Sequence, residues 1–395
     1  MKPLDGVRVL DLSRILAGPF ASMMLADYGA EVIKVENPDG GDDTRAWGPP
    51  FVNAESAYFL SANRNKKSIT LNLKSPRAKE VMSRLVAKSD VLLENFRPGT
   101  LDKLGWGYEA IRKANPRMIY CAISGFGRTG PLADRGGYDL AAQGIGGLMS
   151  LTGSADGPPT KVGTSIADLL AGIYAVQGIL LALYAREKTG KGQLVDVALV
   201  DGIVSVLSYQ AGIHFANGSV PKRRGNEHPT ICPYETFKAS DDFINIAVGN
   251  DALWQKFCEV TGLRRLAKDP SFVANENRVR NRPQLVPLIQ QVIGTKPARH
   301  WLDLLDKSGI PAGPILTLDK TLTHPQVLAR KMVVEADHPK AGRIKMTGVP
   351  VKLSDTPGGL TSPPPLLGQH TDEVLTQVLG FSLAESADLR QSGAL

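Results

Sequence analysis

Residues 7–37 read VRVLDLSRILAGPFASMMLADYGAEVIKVEN, and this stretch decides the fold class. Its first seven residues form an apolar, β-branched run that predicts a buried strand. A helix is predicted from Gly18-Pro19 up to Gly29, because proline suits the first turn of a helix and glycine suits the position just past its end. The last eight residues predict a second strand. This βαβ unit is the building block of a parallel sheet.

The same alternation continues through the N-terminal half and then changes. Strands are predicted at 68–73, 91–96, 118–127 and 194–200, and helices at 76–88, 138–149 and 167–188. Past about residue 215 the chain predicts an antiparallel pair of strands around the Asp241-Asp242 turn, followed by helices at about 251–262, 277–292 and 298–308. The sequence therefore predicts an α/β fold. A large domain with a Rossmann-like open parallel sheet covers residues 1–210 and 325–395, and a smaller α+β domain, 211–324, is inserted into it.

Composition and charge limit the class of protein. The chain has 395 residues, too many for one compact domain, with 43% hydrophobic and 22% charged residues, as expected of a soluble protein. The apolar run at 169–185 falls short of a membrane span, and the chain enters its first strand without a signal-peptide pattern. The three cysteines are far apart and indicate neither disulfides nor a metal site. We expect a cytoplasmic protein that binds no metal and no membrane.

The net charge of +7 favours anionic partners. Lysine and arginine are scattered, without the basic stripe and interleaved aromatic residues of nucleic-acid-binding proteins. A small phosphorylated or carboxylated ligand is therefore expected, and nucleic acid is not. The first βα turn, RILAGPF, lacks the G-x-G-x-x-G spacing that a dinucleotide pyrophosphate needs, which argues against a nicotinamide dehydrogenase. The helix that follows this turn still offers N–H groups to some other anion.

Polar loops at the ends of the predicted strands are the candidate ligand-binding segments, since ligands bind at this edge of open α/β sheets. Asn95 and Phe96 are suited to hydrogen-bond and stack an adenine. The cations Lys74, Arg97 and Lys103 are suited to phosphates. From residue types alone, each segment is also compatible with a solvated loop, which is the more common case.

Asp168 stands at the start of the longest apolar helix of the chain, predicted at 167–188. An ionised carboxylate there would face the positive end of the helix dipole and could act as a nucleophile on an activated acyl group. Ser165-Ile166-Ala167-Asp168 also matches the S-x-x-D form of a helix cap, which has no catalytic meaning. Both interpretations remain open on local grounds, and capping is the more common one.

Several co-linear segments together resemble the class III CoA-transferases. They include DYGAEVIKVENPDGGDDTR, NRNKKSITLNLK, DVLLENFRPGTLDKLG, SGFGRTGP and KTGKGQLVDVAL, and the resemblance spans nearly the whole chain. It implies that Asp168 is the catalytic nucleophile and that the protein is an interlocked, ring-like homodimer. Coenzyme A and acyl-CoA are implied as substrates, with no prosthetic group. The CoA contacts that the resemblance implies are Leu16, Ala17, Leu71, Asn72, Lys74, Asn95, Phe96, Arg97, Lys103, Tyr138 and Asp139.

The chain departs from the family at two basic positions. Asn37 stands where some relatives have a basic residue. Gly136 stands where a lysine is often found, and Arg135 is the expected substitute for that lysine. Related α-methylacyl-CoA racemases have a G-H-D segment that reads Gly137-Tyr138-Asp139 here. Tyrosine, with a pKa of about 10, is a poor base near neutral pH, so a transferase is favoured over a racemase. A non-catalytic CoA-binding protein is the remaining alternative.

Within the family, the sequence looks most like the branch that uses succinyl-CoA and glutarate or similar dicarboxylates. The segment RRGNEHP supplies a basic loop, and arginine can bind a second carboxylate through two parallel hydrogen bonds. The expected acceptor-binding residues are Arg224, Asn226 and His228.

Overall fold

A computed structural model describes all residues, 1–395. The chain divides into two compact units, each described separately below. Unit 1 comprises Met1–Leu148, Val162–Gly212 and Pro325–Leu395, and unit 2 comprises Met149–Lys161 and Ile213–His324. The predicted boundaries of 1–210, 211–324 and 325–395 differ from these units chiefly at residues 149–161, which belong to unit 2.

The strands are β1 (Arg8–Asp11), β2 (Glu31–Glu36), β3 (Phe51–Val52), β4 (Glu55–Ser56), β5 (Lys66–Thr70), β6 (Val91–Glu94), β7 (Ile119–Ser124), β8 (Leu194–Ala198), β9 (Tyr234–Lys238), β10 (Phe243–Ala247), β11 (Ala312–Pro314), β12 (Val333–His338) and β13 (Gly342–Thr347). The helices are α1 (Ala17–Asp27), α2 (Ala57–Ala62), α3 (Ala78–Ala87), α4 (Thr100–Lys103), α5 (Tyr108–Ala114), α6 (Asp139–Ile145), α7 (Leu148–Leu151), α8 (Ile166–Thr189), α9 (Leu199–Ser205), α10 (Ser208–Asn217), α11 (Asp251–Val260), α12 (Arg264–Ala267), α13 (Asn275–Arg280), α14 (Arg282–Ile293), α15 (Ala298–Lys307), α16 (Leu318–Thr323), α17 (Pro325–Ala329), α18 (Thr371–Glu373) and α19 (Leu383–Gln391). Asp43–Ala46 forms a 3₁₀ turn and Val374–Val378 a π-helical turn.

Unit 1 is built on a six-stranded sheet in the order β5-β2-β1-β6-β7-β8, with every pair of neighbours parallel. Numbered within the sheet, this order is 3-2-1-4-5-6, as in the Rossmann fold. The predicted α/β class and parallel sheet are therefore confirmed. Strand order reverses between β1 and β6, and the crevice outside the carboxyl ends of such a strand pair is where open α/β sheets bind ligands.

The two faces of this sheet bury separate apolar clusters, which explains why its strands are apolar on both sides. One cluster packs α3 and the C-terminal segment against Leu10, Leu92 and Tyr120. The other packs α1 and α8 against Val9, Leu93 and neighbouring residues. Helix α8 contributes a buried stripe of small side chains, which lets it lie close to α1: Ala167, Ala171, Gly172, Ala175 and Ala182.

Helix α8 is also the one helix long and apolar enough to cross a membrane by length and composition, with a mean hydropathy of 1.9. The prediction that this run falls short of a span underestimated its length, because the helix begins at Ile166 and ends at Thr189. In unit 1 one face of this helix packs against α1, α9, β7 and β8.

Unit 2 contains the antiparallel sheet β11-β10-β9 and helices α11 to α15. The predicted strand pair around Asp241-Asp242 is present, with Phe243 opposite Lys238. The single helix predicted at 277–292 is instead divided into α13 and α14 at Asn281. Pro283 lies in the first turn of α14, where a residue without an N–H is well tolerated, and Pro287 lies inside the same helix.

Candidate active site

A cavity of about 460 Å³ lies at the carboxyl ends of β1, β6 and β7 in unit 1, where the strand order of the sheet reverses. It is lined by the turn between β1 and α1, the loops after β6 and β7, and the first turn of α8. Of the residues predicted from sequence, the structure brings together here Leu16, Ala17, Asn95, Phe96, Arg97, Arg135, Tyr138 and Asp168.

A second cavity, of about 480 Å³, shares Arg14, Phe96 and Thr100 with the first. The predicted residues Leu71, Asn72 and Lys74 line it, together with Phe96. Lys103 and Asp139 line neither cavity: Lys103 is exposed on α4, and Asp139 is buried at the start of α6. The two cavities meet at Phe96 and form one groove on unit 1.

Asp168 occupies the third position of α8 and is partly buried in the cavity wall. Its position depends on the close contact between α8 and α1. A Cβ atom on Gly172 would lie 2.9 Å from the carbonyl oxygen of Ala17, so only glycine allows this approach. Because Asp168 lies one turn before Gly172 on the same face of α8, it meets the N-terminal turn of α1 at the cavity.

The predicted S-x-x-D cap is wrong. The Ser165 side chain makes no capping hydrogen bond to α8. The cap comes instead from α6, where Asp139 Oδ1 accepts from the N–H of Ala167 at 2.9 Å and Asp139 Oδ2 accepts from Gln143 Nε2 at 2.8 Å. A carboxylate from another segment satisfies the helix start. Asp168 is therefore not occupied as a cap.

The expectation that Asp168 is fully ionised is also wrong near neutral pH. Burial, and then the negative charge of Asp139, raise the pKa of Asp168 to about 7. These two effects outweigh the helix dipole, which favours the anion. Asp168 is thus a carboxyl group that interconverts between acid and carboxylate in the physiological range, as a tuned catalytic group does.

Helix α1 has unpaired hydrogen-bond donors at its start, where Leu16 and Ala17 line the same cavity. Its N-cap residue is Leu16, whose side chain cannot accept a hydrogen bond, and no carbonyl or side chain accepts from the N–H groups of Ala17 and Gly18. Unpaired N–H groups at a helix start bind anions through the aligned peptide dipoles. They are suited to stabilise an oxyanion formed next to Asp168.

Three arginines surround the groove. Arg97 and Arg135 line the first cavity, and Arg14 lines both. Arg14 pairs with Asp43 at 3.2 Å and lies over the Phe96 ring. A Cβ on Gly136 would come within 3.3 Å of Arg97 Nε, so the absence of a side chain at this position leaves room for the Arg97 guanidinium.

Asn95 differs from the sequence prediction. Its Oδ1 accepts from the N–H of Arg14 at 2.8 Å and its Nδ2 donates to the carbonyl of Arg14 at 2.7 Å. Both ends of the amide therefore hold the β1–α1 turn, whereas the sequence indicated hydrogen bonds to an adenine. The sequence did not indicate these hydrogen bonds, because the partners are 81 residues apart and no local pattern joins them.

Tyr58 is a site residue that the sequence analysis missed. Burial and the charges of Asp168 and Asp139 raise the pKa of its hydroxyl, which hydrogen-bonds the Ser165 side chain. Trp47 packs edge-on against the Tyr58 ring at 5.2 Å. Tyr58 lies on α2, capped by Ser56, within a segment whose Pro/Gly-rich surroundings predicted only an interruption between strands. No local signal distinguished it.

The predicted acceptor residues all belong to unit 2. Asn226 lines a cavity of about 410 Å³ with Glu235 and Asn245, and its Nδ2 donates to Thr236 Oγ1 at 2.8 Å. Arg224 is exposed. The His228 ring packs on Tyr234 with 5.1 Å between ring centroids. Burial, and then the positive charge of Arg282, lower the pKa of His228, so this imidazole stays neutral at physiological pH.

Comparison with known proteins identifies the family of this fold and site. Residues 4–371 match CoA-transferase family III. The chain is 44% identical over 395 residues to the succinyl-CoA:glutarate CoA-transferase of Mus musculus, covering 100% of this chain and 91% of that protein. It is 45% identical over 353 residues to the acetyl-CoA:oxalate CoA-transferase of Acetobacter aceti, covering 89% of each. A crystal structure of a CAIB/BAIF family protein from Brucella suis has a TM-score of 0.85 and 44% identity, covering 95% of this chain and 99% of that one. The chain therefore belongs to CoA-transferase family III and is a CoA-transferase.

Proposed function

We propose that this CoA-transferase moves CoA from succinyl-CoA to a dicarboxylic acid, glutarate, through covalent intermediates on Asp168. The observation that carries the proposal is the position of Asp168, which faces a cavity shared with the unpaired N–H groups of α1 and with three arginines. A carboxylate nucleophile, oxyanion donors and cations for phosphates are the groups that such a transfer requires.

The first half-reaction releases succinate. An oxygen of Asp168 attacks the thioester carbonyl of succinyl-CoA, the C–S bond breaks, and CoA leaves as a thiolate, which gives an aspartyl–succinyl anhydride. The thiolate then attacks the aspartyl carbonyl and the C–O bond to succinate breaks. Asp168 is left as an aspartyl–CoA thioester, with no net uptake of a proton.

The second half-reaction repeats these steps in reverse order with the acceptor. A carboxylate of glutarate attacks the aspartyl carbonyl and expels CoA thiolate, which gives an aspartyl–glutaryl anhydride. The thiolate attacks the glutaryl carbonyl, so glutaryl-CoA forms and the Asp168 carboxylate is restored. The thioester energy is conserved because each acyl intermediate reacts within the site and not with water.

The charge environment of Asp168 favours acylation. A carboxylate at this position is destabilised by burial and by Asp139. Acylation removes that charge, so the repulsion present in the free enzyme is relieved as the anhydride forms. The developing negative charge moves to the substrate oxygen, where the N–H groups of Ala17 and Gly18 can receive it.

The other residues that line the groove on unit 1 are assigned to binding of the CoA moiety. Arg14, Arg97 and Arg135 supply cations for the CoA phosphates, and Arg97 uses the space that Gly136 leaves open. Phe96 and the Leu71–Lys74 segment offer a stacking face and polar groups for the adenine end.

The acceptor is proposed to be a dicarboxylate because the relatives described above are named for glutarate and oxalate, which both carry two carboxylates. Arg224, Asn226 and His228 are proposed to bind an acceptor carboxylate. Arg224 is the cation of this group, and guanidinium pairs with carboxylate through two hydrogen bonds. The neutral His228 is suited to donate a hydrogen bond to it.

A racemase is the less favoured alternative. Proton transfer at Cα would need a base in the Tyr138-Asp139 segment, but Tyr138 is 69% exposed and both Asp139 oxygens are engaged, with Ala167 and Gln143. A non-catalytic CoA-binding protein would not need a nucleophile with a raised pKa at the cavity.

A homodimer is proposed from the outer face of unit 1. Exposed apolar side chains follow the solvent face of α8, namely Ile173, Leu180, Leu181 and Tyr184. Together they form an apolar stripe of the kind that marks a protein–protein contact. An interlocked dimer, as the family resemblance implies, would cover it. Light scattering that gives the mass of one chain at micromolar concentration would contradict this assignment.

The deciding experiment incubates the protein with succinyl-CoA and a panel of mono- and dicarboxylic acids, and identifies new CoA thioesters by mass spectrometry. Glutaryl-CoA is the expected product, and oxalyl-CoA in its place would assign the other acceptor. Without an acceptor, the peptide containing Asp168 should gain the mass of CoA less water. Asp168→Ala should lose both the products and this adduct. Deuterium exchange at Cα of a branched acyl-CoA without transfer would favour the racemase.

A further inference from the structure

The turn between β1 and α1 is held in an unusual way, by side chains from distant parts of unit 1. Asp11 accepts from the N–H of Ser13 at 2.9 Å, and Lys34 Nζ donates to the Ser13 carbonyl at 2.8 Å. Asn95 binds both the N–H and the carbonyl of Arg14. Asp42 accepts from the N–H of Ile15 at 3.2 Å. Charged or amide side chains therefore hold the backbone at three consecutive residues, Ser13, Arg14 and Ile15.

The turn needs this support because of the conformation of Ile15. Ile15 has φ of 71°, a left-handed backbone conformation that a β-branched residue rarely adopts. Such a conformation persists only where the surroundings determine it, and these positions concentrate at functional sites. The two residues at the bend are both held by hydrogen bonds: Asn95 binds the backbone of Arg14, and Asp42 binds the N–H of Ile15.

Asp42 and Lys34 form the fixed base of the turn. They pair at 2.8 Å and both side chains are fully buried. Burial alone would raise the pKa of the Asp42 carboxyl, but the Lys34 ammonium and hydrogen bonds from Thr44 lower it to about 2. Asp42 therefore remains a charged acceptor for Ile15 throughout the working pH range.

The residues that follow the turn are the donors of the site. Leu16 and Ala17 line the cavity that contains Asp168, and the N–H groups of Ala17 and Gly18 are unpaired. The direction of these N–H groups is set by the turn before them. Misplacement of a donor by about 1 Å costs roughly 100-fold in rate.

We propose that Asn95 is a positioning residue of the transfer reaction, which together with Asp42 holds the Arg14-Ile15 turn so that the first N–H groups of α1 point at the acyl oxygen on Asp168. This proposal rests on the proposed function and deepens it. The amide of Asn95 then acts on the reacting end of the substrate and is not a ligand of the adenine.

The test compares two donors that share the same thioester. Succinyl-CoA carries the adenine nucleotide, and succinyl-pantetheine lacks it. Asn95→Ala removes both hydrogen bonds to the Arg14 backbone. Asn95→Asp keeps an oxygen that accepts from the Arg14 N–H and removes the amide that donates to the Arg14 carbonyl. We expect kcat to fall about 10- to 100-fold with both donors, with KM for succinyl-CoA changed less than about 3-fold.

A contrasting variant is Phe96→Leu, which alters the groove wall and leaves the Arg14 backbone contacts intact. It should weaken the use of succinyl-CoA more than that of succinyl-pantetheine. If the loss in the Asn95 variants is confined to succinyl-CoA, Asn95 is an adenine ligand and the positioning role is overturned. If wild type transfers CoA to no acid, the proposed function fails instead.

A second measurement needs no turnover. Hydrogen–deuterium exchange of the peptide covering residues 12–20 should speed up at least about 10-fold in Asn95→Ala, while thermal unfolding remains a single transition. Unchanged exchange together with unchanged kcat would overturn the proposal even if the truncated donor is a poor substrate of the wild type.

Discussion

Asp139 accepts a hydrogen bond from the N–H of Ala167, at 2.9 Å, and so anchors the residue immediately before Asp168. The same carboxylate raises the pKa of Asp168 through its charge, after burial. One side chain therefore fixes the position of the proposed nucleophile and adjusts its protonation. Position and charge can be separated experimentally, because asparagine at 139 keeps an oxygen acceptor and lacks the charge.

The pH profile of the reaction should report the Asp168 carboxyl group. Only the carboxylate attacks, so kcat/KM should fall as the pH drops through about 7. In Asp139→Asn the removal of the neighbouring charge should shift this acid limb to lower pH. Rates measured from pH 5.5 to 9 check the shift, and an unmoved limb would mean that the Asp139 charge does not act on Asp168.

The raised pKa of Asp168 also predicts a stability effect. The pKa of Asp168 is about 7 in the folded state and 3.8 in the unfolded chain, so the folded state holds the proton more tightly. Ionisation of Asp168 therefore destabilises the folded protein increasingly as pH rises from about 4 to 7, and the full effect is present above pH 7. Asp168→Asn should therefore raise the free energy of unfolding at pH 8 by about 2 kcal/mol, a value reduced from the full shift because the group is partly solvated.

This gain should shrink when the same denaturant titrations are repeated at pH 5.5. The exposed, unpaired Asp156 offers a matched control, since Asp156→Asn should leave the unfolding free energy within about 0.5 kcal/mol at both values of pH. A gain in Asp168→Asn that does not depend on pH would have to come from packing and not from charge.

Arg97 should matter only for the nucleotide part of the substrate. Arg97→Ala should raise KM for succinyl-CoA by about 10-fold or more, as expected for loss of a charged hydrogen bond to phosphate. The KM for succinyl-pantetheine should stay unchanged, because that donor lacks the nucleotide phosphates. Lys113→Ala, an exposed cation that lines neither cavity, is the control. An equal rise for both donors would move Arg97 to the acyl end of the groove.

Gly18 should not tolerate a side chain. A Cβ there would lie 2.2 Å from the Cβ of Ser13, so Gly18→Ala must displace the β1–α1 turn. We expect a loss of about 1–3 kcal/mol in stability and a fall in kcat. Gly212→Ala, inside helix α10 where a Cβ meets no atom within 4 Å, should lose no stability and should keep kcat. Removing the obstacle in the double variant Gly18→Ala/Ser13→Gly should restore part of both losses, and their persistence would place the strain elsewhere.

Local patterns were sufficient for most of the fold. Strand residues such as Val9, Val32 and Leu92 are buried on both faces of the sheet, and a continuous apolar run between turn residues predicts such strands directly. The errors fall where two elements meet without a turn signal. Helix α9 begins at Leu199 directly after β8, inside the residues predicted as strand, because leucine and valine suit either structure.

The sequence by itself determined the parallel α/β class, the family and the identity of Asp168 as the nucleophile candidate, because these depend on periodicity and on co-linear segments. Only the tertiary structure decided that Asp139 caps helix α8, that Asn95 holds the Arg14 backbone, and that the pKa of Asp168 lies near 7. The physical reason is the same in each case. Hydrogen bonds, burial and charge interactions act through space between residues far apart in the chain, and the spacing of residue types along a sequence does not record them.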